Sequence, residues 1–393
     1  MKSGFLRNVV TAIFVLSTMV VSTLFAFTTG AETTVGYAYT LNNDGQNNSV
    51  VVLARKANGT LAEVENSPVS AGGKGLLVPA GGDFDAQGAV RIAGRHLLAV
   101  NPGSNTIAVF NIEGNGKLQA VEGSPFSSGG ITPLSLAISN DIVYVANQAV
   151  DFVHPSVAPN ITGFRICDSG ALTPITGSTI EFEPGQGPAQ VDFSPKSGIL
   201  AVTAGFQTDG KIHTYALQAD GTLKDGPGSP YVSKGVSGTV GFSWSADGKN
   251  LLVSNFRGSA VTVFSVDAKT AAISPNGHPY PNRQGAACWT ALSPDGKTLY
   301  TANFVSNSIS AFSVNVDGTL TLLGSTPKRK ANGNDTKDLQ VSPDGKYLYV
   351  VGPIAKQIAV FEIGSNRIPK ELSLSQSPFS LKSGQWTTGL ALN

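Results

Sequence analysis

The chain has 393 residues, of which 41% are hydrophobic and 13% are charged, and its formal net charge is +1. A nucleic-acid-binding protein needs a basic excess that this balance lacks, so we expect no nucleic acid among its partners. The apolar content and the 45 glycines indicate a turn-rich folded chain and exclude a disordered one.

Residues 1–31 have the composition of a secretory signal peptide. Lys2 and Arg7 form a positive N-terminal region, an apolar run follows over 9–27, and Ala31 completes a small-residue cleavage pattern. We therefore expect cleavage after Ala31 and a secreted, periplasmic or cell-surface protein. A helix over the apolar run would measure about 28 Å, which is enough to cross a bilayer, so a retained membrane anchor is the alternative.

A repeat fills the rest of the chain, residues 32–393, which we predict to be a single domain. Its clearest copy, residues 287–327, predicts four strands, with a Ser-Pro-Asp-Gly turn at 293–296 and a hairpin Asp-Gly at 317–318. One position in the third strand recurs every 48 to 57 residues as an aromatic residue, or leucine in the first copy: Leu53, Phe110, Phe164, Tyr215, Phe264, Phe312 and Phe361.

Seven four-stranded copies predict an all-β fold, a seven-bladed β-propeller with one blade per copy. The first copy begins with its second strand, over 35–42, and has no first strand before it. Residues 388–392 match the missing strand, so we expect the C-terminal strand to complete blade 1 and close the ring. Closure removes exposed sheet edges, which otherwise promote aggregation.

The two cysteines, Cys167 and Cys288, fall in the predicted blades 3 and 6. These blades lie almost opposite each other, whereas a disulfide joins Cα atoms only about 6 Å apart. We therefore expect no disulfide between them, although export would permit one.

The two faces of a propeller carry different connections. The loops between blades and between second and third strands lie on one face, which we call the loop face, and the Ser-Pro-Asp-Gly turns lie on the other, the turn face. Asn147 and Phe164 in blade 3 are 17 positions apart, against nine in three other copies. This insertion contains Phe152 and His154, and a long loop on a rigid scaffold is a functional hint. A surface insertion without a role is the alternative.

Several motifs resemble those of the seven-bladed β-propeller lactonase family. They are Ser-Pro-Asp-Gly-Lys-x-Leu-Tyr at 293–300, Ile-x-x-Phe at 309–312, Asp-Gly-x-Leu at 317–320 and Gly-Ser-Pro-Phe at 123–126. The family includes propeller 6-phosphogluconolactonases and fungal carboxymuconate cyclases, and the resemblance covers residues 35–393. It implies a lactonase-like protein that hydrolyses or forms a sugar or carboxylated lactone, and the predicted signal peptide implies that this protein is exported. A non-catalytic secreted or surface propeller that binds a protein or glycan is the alternative.

The catalytic residues of the family transfer poorly to this sequence. The resemblance implies His and Arg in a Gly-Pro-Arg-His type of run, where this chain has Gly-Pro-Ala-Gln at 187–190. Lactone chemistry needs a group that moves a proton and donors for the developing oxyanion. We predict the channel mouth on the loop face as the site, with seven residues. The catalytic ones are Asp338, His154 and Arg257, and the ligand-binding ones are Lys337, Gln190, Trp289 and Phe152.

We expect no cofactor and no metal site. Asp83 and Asp85 lie close together in the sequence and could be ligands for Ca²⁺, but two carboxylates are too few, and turn residues are the better interpretation. The expected partner is a small polar ligand or a surface partner, and the expected state is a monomer.

Overall fold

The computed structural model describes six ranges of the chain: 32–76, 87–149, 157–204, 209–329, 334–382 and 387–393. Within them, Thr33–Asn393 forms one compact unit. The predicted signal peptide, the blade 3 residues Phe152 and His154, and the pair Asp83 and Asp85 lie outside the described residues. No helix of the described ranges is long and apolar enough to cross a bilayer.

The described chain forms seven antiparallel sheets, the blades, which follow one another in chain order. Blade 1 contains β1 (Thr34–Leu41), β2 (Ser49–Lys56), β3 (Leu61–Glu63) and β4 (Val69–Ser70). Blade 2 contains β5 (Val90–Ala93), β6 (His96–Asn101), β7 (Thr106–Ile112), β8 (Leu118–Ala120) and β9 (Phe126–Ser127). Blade 3 contains β10 (Pro133–Ser139), β11 (Ile142–Asn147), β12 (Asn160–Ile166), β13 (Leu172–Pro174) and β14 (Ile180–Glu181). Blade 4 contains β15 (Pro188–Phe193), β16 (Ile199–Ala204), β17 (Asp209–Leu217), β18 (Leu223–Asp225) and β19 (Tyr231–Ser237).

The remaining strands belong to blades 5 to 7 and to the closure of the ring. Blade 5 contains β20 (Thr239–Trp244), β21 (Asn250–Asn255), β22 (Ala260–Val266), β23 (Ile273–Pro275) and β24 (Tyr280–Pro281). Blade 6 contains β25 (Ala287–Leu292), β26 (Thr298–Asn303), β27 (Ser308–Val314) and β28 (Leu320–Pro327). Blade 7 contains β29 (Leu339–Val341), β30 (Tyr347–Gly352), β31 (Gln357–Ile363), β32 (Pro369–Glu371) and β33 (Phe379–Ser380). The last strand of the chain is β34 (Thr388–Leu392).

The C-terminal strand closes the ring as predicted. Strand β34 pairs antiparallel with β1, placing Tyr39 opposite Ala391 and Leu41 opposite Thr388. The backbone N–H of Tyr37 donates to Oδ1 of Asn393 at 2.7 Å, just beyond the paired strand. Blade 1 therefore takes its innermost strand from the end of the chain.

The second strands of blades 2, 3, 4 and 6 are buried along their whole length. Every residue of β11 is buried, which agrees with its continuous sequence Ile-Val-Tyr-Val-Ala-Asn. The Tyr144 hydroxyl donates to the carbonyl of Gly221 in the next blade at 2.8 Å, and burial raises the pKa of this phenol. Tyr300 makes the same kind of bond to Arg367 at 3.1 Å, and burial raises its pKa to about 12.

The repeated Ser-Pro-Asp-Gly turn is stabilised by its own side chains. In blade 6, Ser293 Oγ donates to Asp295 Oδ1 at 2.6 Å, and the same carboxylate oxygen accepts the N–H of Lys297 at 3.0 Å. The bond from Ser293 is the largest cause that lowers the pKa of Asp295. The N–H of Thr298 then donates to Ser293 Oγ at 2.9 Å, which fixes the start of the second strand.

The outer edge of the blades is more broken than the sequence predicted. Six sheets have a fifth strand that pairs with the third, of two residues in five blades and seven in blade 4, whereas blade 6 has the continuous strand β28. The Gly-Ser-Pro motifs lie at these breaks, where the serine hydroxyl replaces a lost backbone acceptor. Ser124 Oγ accepts the N–H of Val109 at 2.9 Å, and Ser229 Oγ accepts that of Thr214 at 3.0 Å.

The two cysteines lie in the predicted blades: Cys167 directly follows β12 of blade 3, and Cys288 lies in β25 of blade 6. Cys167 is exposed, Cys288 is buried, and these two described residues form no disulfide.

Candidate functional site

A cavity of about 310 Å³ occupies part of the central channel. Its wall comes from the inner strands of blades 2, 4, 5, 6 and 7, together with Gln87 just before β5. The lining includes the aromatic residues Phe193, Phe242 and Trp244. Its polar lining residues include Arg91, Asp192, Gln87, Gln340, Ser243 and Thr290.

The cavity lies in the half of the channel nearest the turn face. Each inner strand runs from the loop face to the turn face, and the lining includes the last residues of β15, β20 and β25, namely Phe193, Trp244 and Leu292. Pro195, which belongs to the turn that follows β15, also lines it. The cavity is therefore displaced from the loop-face mouth where the sequence predicted the site.

A single ion pair crosses the cavity. Arg91 Nη2 lies 3.0 Å from Asp192 Oδ2, with the two side chains 23% and 30% exposed. Arg91 Nε donates to the carbonyl of Leu136 in blade 3 at 3.1 Å, and Asp192 Oδ1 accepts the N–H of Phe193 at 3.0 Å. Arg91 thus reaches from blade 2, past blade 3, to blade 4. Among the described residues that line the cavity, this cation and this carboxylate are the two charged groups.

Gln87 forms a second connection across the channel, which we call the crossbar. Its Nε2 donates to the carbonyl of Thr290 in blade 6 at 2.7 Å and to Asp338 Oδ1 in blade 7 at 3.1 Å. The N–H of Thr290 is 3.4 Å from Gln87 Oε1, and Ser135 Oγ donates to the Gln87 carbonyl at 2.7 Å. These contacts fix the amide of Gln87 at the loop-face end of the cavity.

Further hydrogen bonds order the remaining wall. Ser243 Oγ and Thr290 Oγ1 lie 2.8 Å apart, and the indole Nε1 of Trp244 donates to the Asp192 carbonyl at 3.3 Å. Gln190 was predicted to bind ligand and does line the cavity, but it is only 2% exposed. Its Oε1 accepts the N–H of Phe242 at 2.8 Å, and its Nε2 donates to the Phe242 carbonyl at 3.0 Å. Both ends of this amide are therefore engaged in joining blade 4 to blade 5.

Asp338, predicted as a catalytic base, lies behind the cavity wall and is 1% exposed. Its Oδ1 accepts from the crossbar and from the N–H of Leu339 at 2.8 Å. The preceding segment is held by the fully buried pair of Lys328 Nζ and Asp335 Oδ2, which are 2.9 Å apart. Asp338 thus contacts the cavity through Gln87.

Three further predicted residues in the described ranges do not line this cavity. Lys337 is 3% exposed and places its Nζ 3.7 Å from the centre of the Phe304 ring. Trp289 is 1% exposed and packs in the core between blades 5, 6 and 7. Arg257 is exposed in the connection after β21, on the loop face. The roles predicted for these residues stay predictions, as do those of Phe152 and His154.

The three described histidines lie away from the cavity. His96 Nε2 is 3.2 Å from the carbonyl of Asp168, His213 packs edge-on to Phe182, and His278 lies beside Tyr280. In the described part of the chain, no group of three or more His, Cys, Asp or Glu residues is placed to hold a metal ion. Asp192 is therefore the acidic group that the described cavity offers for proton transfer.

Sequence reasoning missed Arg91, Asp192 and Gln87. The available signal was a charged residue inside an otherwise apolar inner-strand pattern, as in Val-Arg-Ile-Ala over β5 and Pro-Ala-Gln-Val-Asp-Phe over β15. A charge that points into a propeller channel is costly unless it is paired. A charged residue in such a pattern is therefore a candidate for the lining of the channel.

The family model described as lactonase, 7-bladed beta-propeller, matches residues 29–156 and 274–387, more than half of the chain. The chain belongs to this lactonase family. The matched ranges include Arg91 and the crossbar residue Gln87 but leave out Asp192. No curated protein matches the chain in sequence.

Solved structures share the fold of this lactonase-family chain at low identity. Periplasmic gluconolactonase PpgL of Pseudomonas aeruginosa has a TM-score of 0.69 and 17% identity, over 90% of this chain and 99% of that one. A Bacteroides fragilis protein, provisionally assigned as a 6-phosphogluconolactonase, has a TM-score of 0.67 and 20% identity, over 91% and 98%. A Lactobacillus plantarum protein has a TM-score of 0.67 and 18% identity, over 92% and 100%.

Proposed function

We propose that this protein is an exported lactonase that binds a sugar lactone or a carboxylated lactone in the channel cavity and hydrolyses or forms its ring ester. The observation that carries the proposal is the Arg91–Asp192 pair inside a cavity of about 310 Å³, in a chain of the lactonase family. Small-molecule sites usually measure about 300–1,000 Å³, so the cavity suits a ligand the size of one lactone ring.

The chemistry assigns separate tasks to the two charged groups. Hydrolysis needs a base that takes a proton from water as the water attacks the carbonyl carbon, and a donor for the oxyanion that forms. Asp192 supplies the base, and the Arg91 guanidinium supplies positive charge beside it. The hydroxyl groups of Ser243 and Thr290 and the amide of Gln340 orient the remaining polar atoms of the ligand.

The residues predicted from sequence take supporting roles in this proposal. Asp338 positions Gln87 from behind the wall and so acts through another residue. Arg257 is exposed on the loop face, where a role in ligand entry is part of the proposal. The roles predicted for Lys337, Trp289, Phe152 and His154 stay predictions, and Lys337 and Trp289 are buried.

Export is proposed from residues 1–31, whose charge and apolar pattern are those of a signal peptide. N-terminal sequencing of the protein recovered outside the cytoplasm tests this. A mature N-terminus at Glu32 supports cleavage after Ala31, and an intact residue 1 in a membrane fraction supports a retained anchor instead.

The first prediction concerns Asp192. In a panel of sugar lactones and carboxylated lactones, Asp192→Asn should lower kcat/KM by roughly 10²-fold or more, the scale of a lost general base. Asp141→Asn is the matched control, because Asp141 also pairs with an arginine, Arg165, but is 56% exposed on the surface. If wild type turns over a lactone and Asp192→Asn keeps full activity, the chemistry takes place outside this cavity.

A non-catalytic propeller that binds a protein or glycan is the second candidate function, and one observation favours it. Ala189 and Gln190 occupy the run where the family resemblance implies Arg and His, and both are engaged in the structure of the blade. Ala189 is 3% exposed in a hydrophobic cluster, and Gln190 is bonded to the Phe242 backbone. Binding of a lactone without turnover by wild type would favour this function.

A further inference from the structure

We infer that the cavity selects an uncharged polyhydroxylated ligand over a phosphorylated or carboxylated one, and that the Arg91–Asp192 pair determines this specificity. The inference rests on the proposed function, since it concerns the same cavity. It narrows the ligand from lactones in general to those without a charged substituent.

The charge balance of the cavity is the first argument. One guanidinium and one carboxylate, 3.0 Å apart, are the charged groups among the described lining residues, so their formal charges cancel. An anionic ligand would have to take Arg91 from Asp192, leaving a carboxylate in a partly buried site without its counter-ion, which is strongly unfavourable. The carboxyl group of Asp338 lies behind the crossbar and accepts from Gln87 Nε2 at 3.1 Å.

The geometry of Arg91 is the second argument. Arginine recognises phosphate and carboxylate by presenting two parallel N–H groups to two oxygen atoms. Here Nη2 already contacts Asp192, and Nε donates to the Leu136 carbonyl at 3.1 Å. The Nε–Nη2 edge of the guanidinium, one of the two edges that could bind an anion in this way, is therefore occupied by the protein itself.

The rest of the wall suits a neutral sugar ring. The hydroxyls of Ser243 and Thr290 and the amide of Gln340 each carry both donor and acceptor capacity, as sugar hydroxyls do. Trp244 and Phe193 add apolar surface for the C–H face of a ring, and the Trp244 indole is held by its bond to the Asp192 carbonyl at 3.3 Å. Polar and aromatic groups therefore line one cavity without a net charge.

The experiment compares two ligands that differ only by a phosphate. D-glucono-1,5-lactam, a hydrolytically stable lactone analogue, and its 6-phosphate are titrated calorimetrically into the full-chain wild type, Asp192→Asn and Asp141→Asn. We expect wild type and Asp141→Asn to bind the neutral lactam at least tenfold more tightly than the phosphate. Asp192→Asn leaves Arg91 without its counter-ion, so its affinity for the 6-phosphate should rise about tenfold or more, the scale of one charge-assisted hydrogen bond.

The possible outcomes distinguish a failure of the charge selection from a failure of the proposed function. Equal or tighter binding of the phosphate by wild type overturns the charge selection alone, and so does an unchanged preference in Asp192→Asn. Binding of neither ligand, together with no turnover of any lactone, overturns the proposed function as well. Circular dichroism and the melting temperature of each variant verify that it is folded. Arg91→Gln gives an independent test, since it should bind the 6-phosphate more weakly than wild type does.

Discussion

The environment of His213 lowers its pKa well below the ordinary value. His213 lies in β17 with its ring centre 4.9 Å from that of Phe182, and its Nδ1 is 3.2 Å from the Tyr215 hydroxyl. Burial, followed by the positive charge of Lys211, lowers its pKa from 6.5 to about 4. Because burial disfavours the charged form of this imidazole in the folded protein, His213 links folding stability to pH.

The second prediction follows from this shift. Between pH 6.5 and about 4 the unfolded chain binds a proton at this position and the folded chain does not. Stability is therefore present above pH 6.5 and is lost as the pH falls towards 4. His213→Phe should show a smaller fall in melting temperature over this range than wild type, whereas His278→Phe, at an exposed site, should follow wild type. Equal slopes for wild type and His213→Phe would contradict the assignment.

Six of the seven blades have an interrupted outer edge, where a fifth strand pairs with the third. The Gly-Ser-Pro motif places a serine hydroxyl where the fourth strand leaves the third, and in blade 2 Ser124 accepts the N–H of Val109. A backbone N–H without an acceptor at a partly buried position is costly. The motif is therefore a structural device of the repeat, and its recurrence gives no information about a ligand.

The third prediction tests this device. Ser124→Ala should lower the free energy of unfolding by about 1–3 kcal/mol, because the N–H of Val109 loses its acceptor. Ser127→Ala is the control, because Ser127 lies in the next short strand of the same blade and is exposed. Urea denaturation of the three proteins measures the difference. If both variants lose the same free energy of unfolding, the effect does not come from the hydrogen bond to Val109.

The closure of the ring contributes to the stability of the whole propeller. Strand β34 supplies the inner strand of blade 1, and its Leu390 is fully buried in a cluster with residues of β1, β2 and blade 7. The two ends of the described propeller are thus held in one sheet. Loss of this packing would expose two sheet edges at once.

The fourth prediction concerns this closure. Leu390→Ala should destabilise the protein by about 2–5 kcal/mol, the usual cost of a buried leucine side chain. Leu374→Ala makes the same chemical change at a side chain that is 63% exposed, and it should cost little. Thermal and urea denaturation measure both. Similar effects of the two substitutions would show that the closing strand is not an important part of the core.

The fold was predictable because its determinants repeat locally. The turn at Ser293, the third-strand aromatic such as Phe312 and the matching end strand at 388–392 together predicted seven blades and their closure. The structure corrected the outer edge, because the alternation of so short a strand cannot reveal where a fourth strand breaks. The loop-face site stays a prediction. Asp338, Lys337 and Trp289 are polar or aromatic residues near inner strands, but sequence spacing does not reveal whether such a side chain is exposed or buried.

The repeat, the number of blades, the closing strand and the separation of the two cysteines could be predicted from the sequence, because each follows from comparing copies of one unit of about fifty residues. Only the tertiary structure decided where the channel cavity lies and which side chains meet in it. Arg91 and Asp192 are 101 positions apart, and Gln87 and Thr290 are 203 apart. Their contacts exist because the closed ring brings inner strands of non-adjacent blades to a common axis. A pattern within one repeat cannot predict which of the inward-pointing residues meet at that axis.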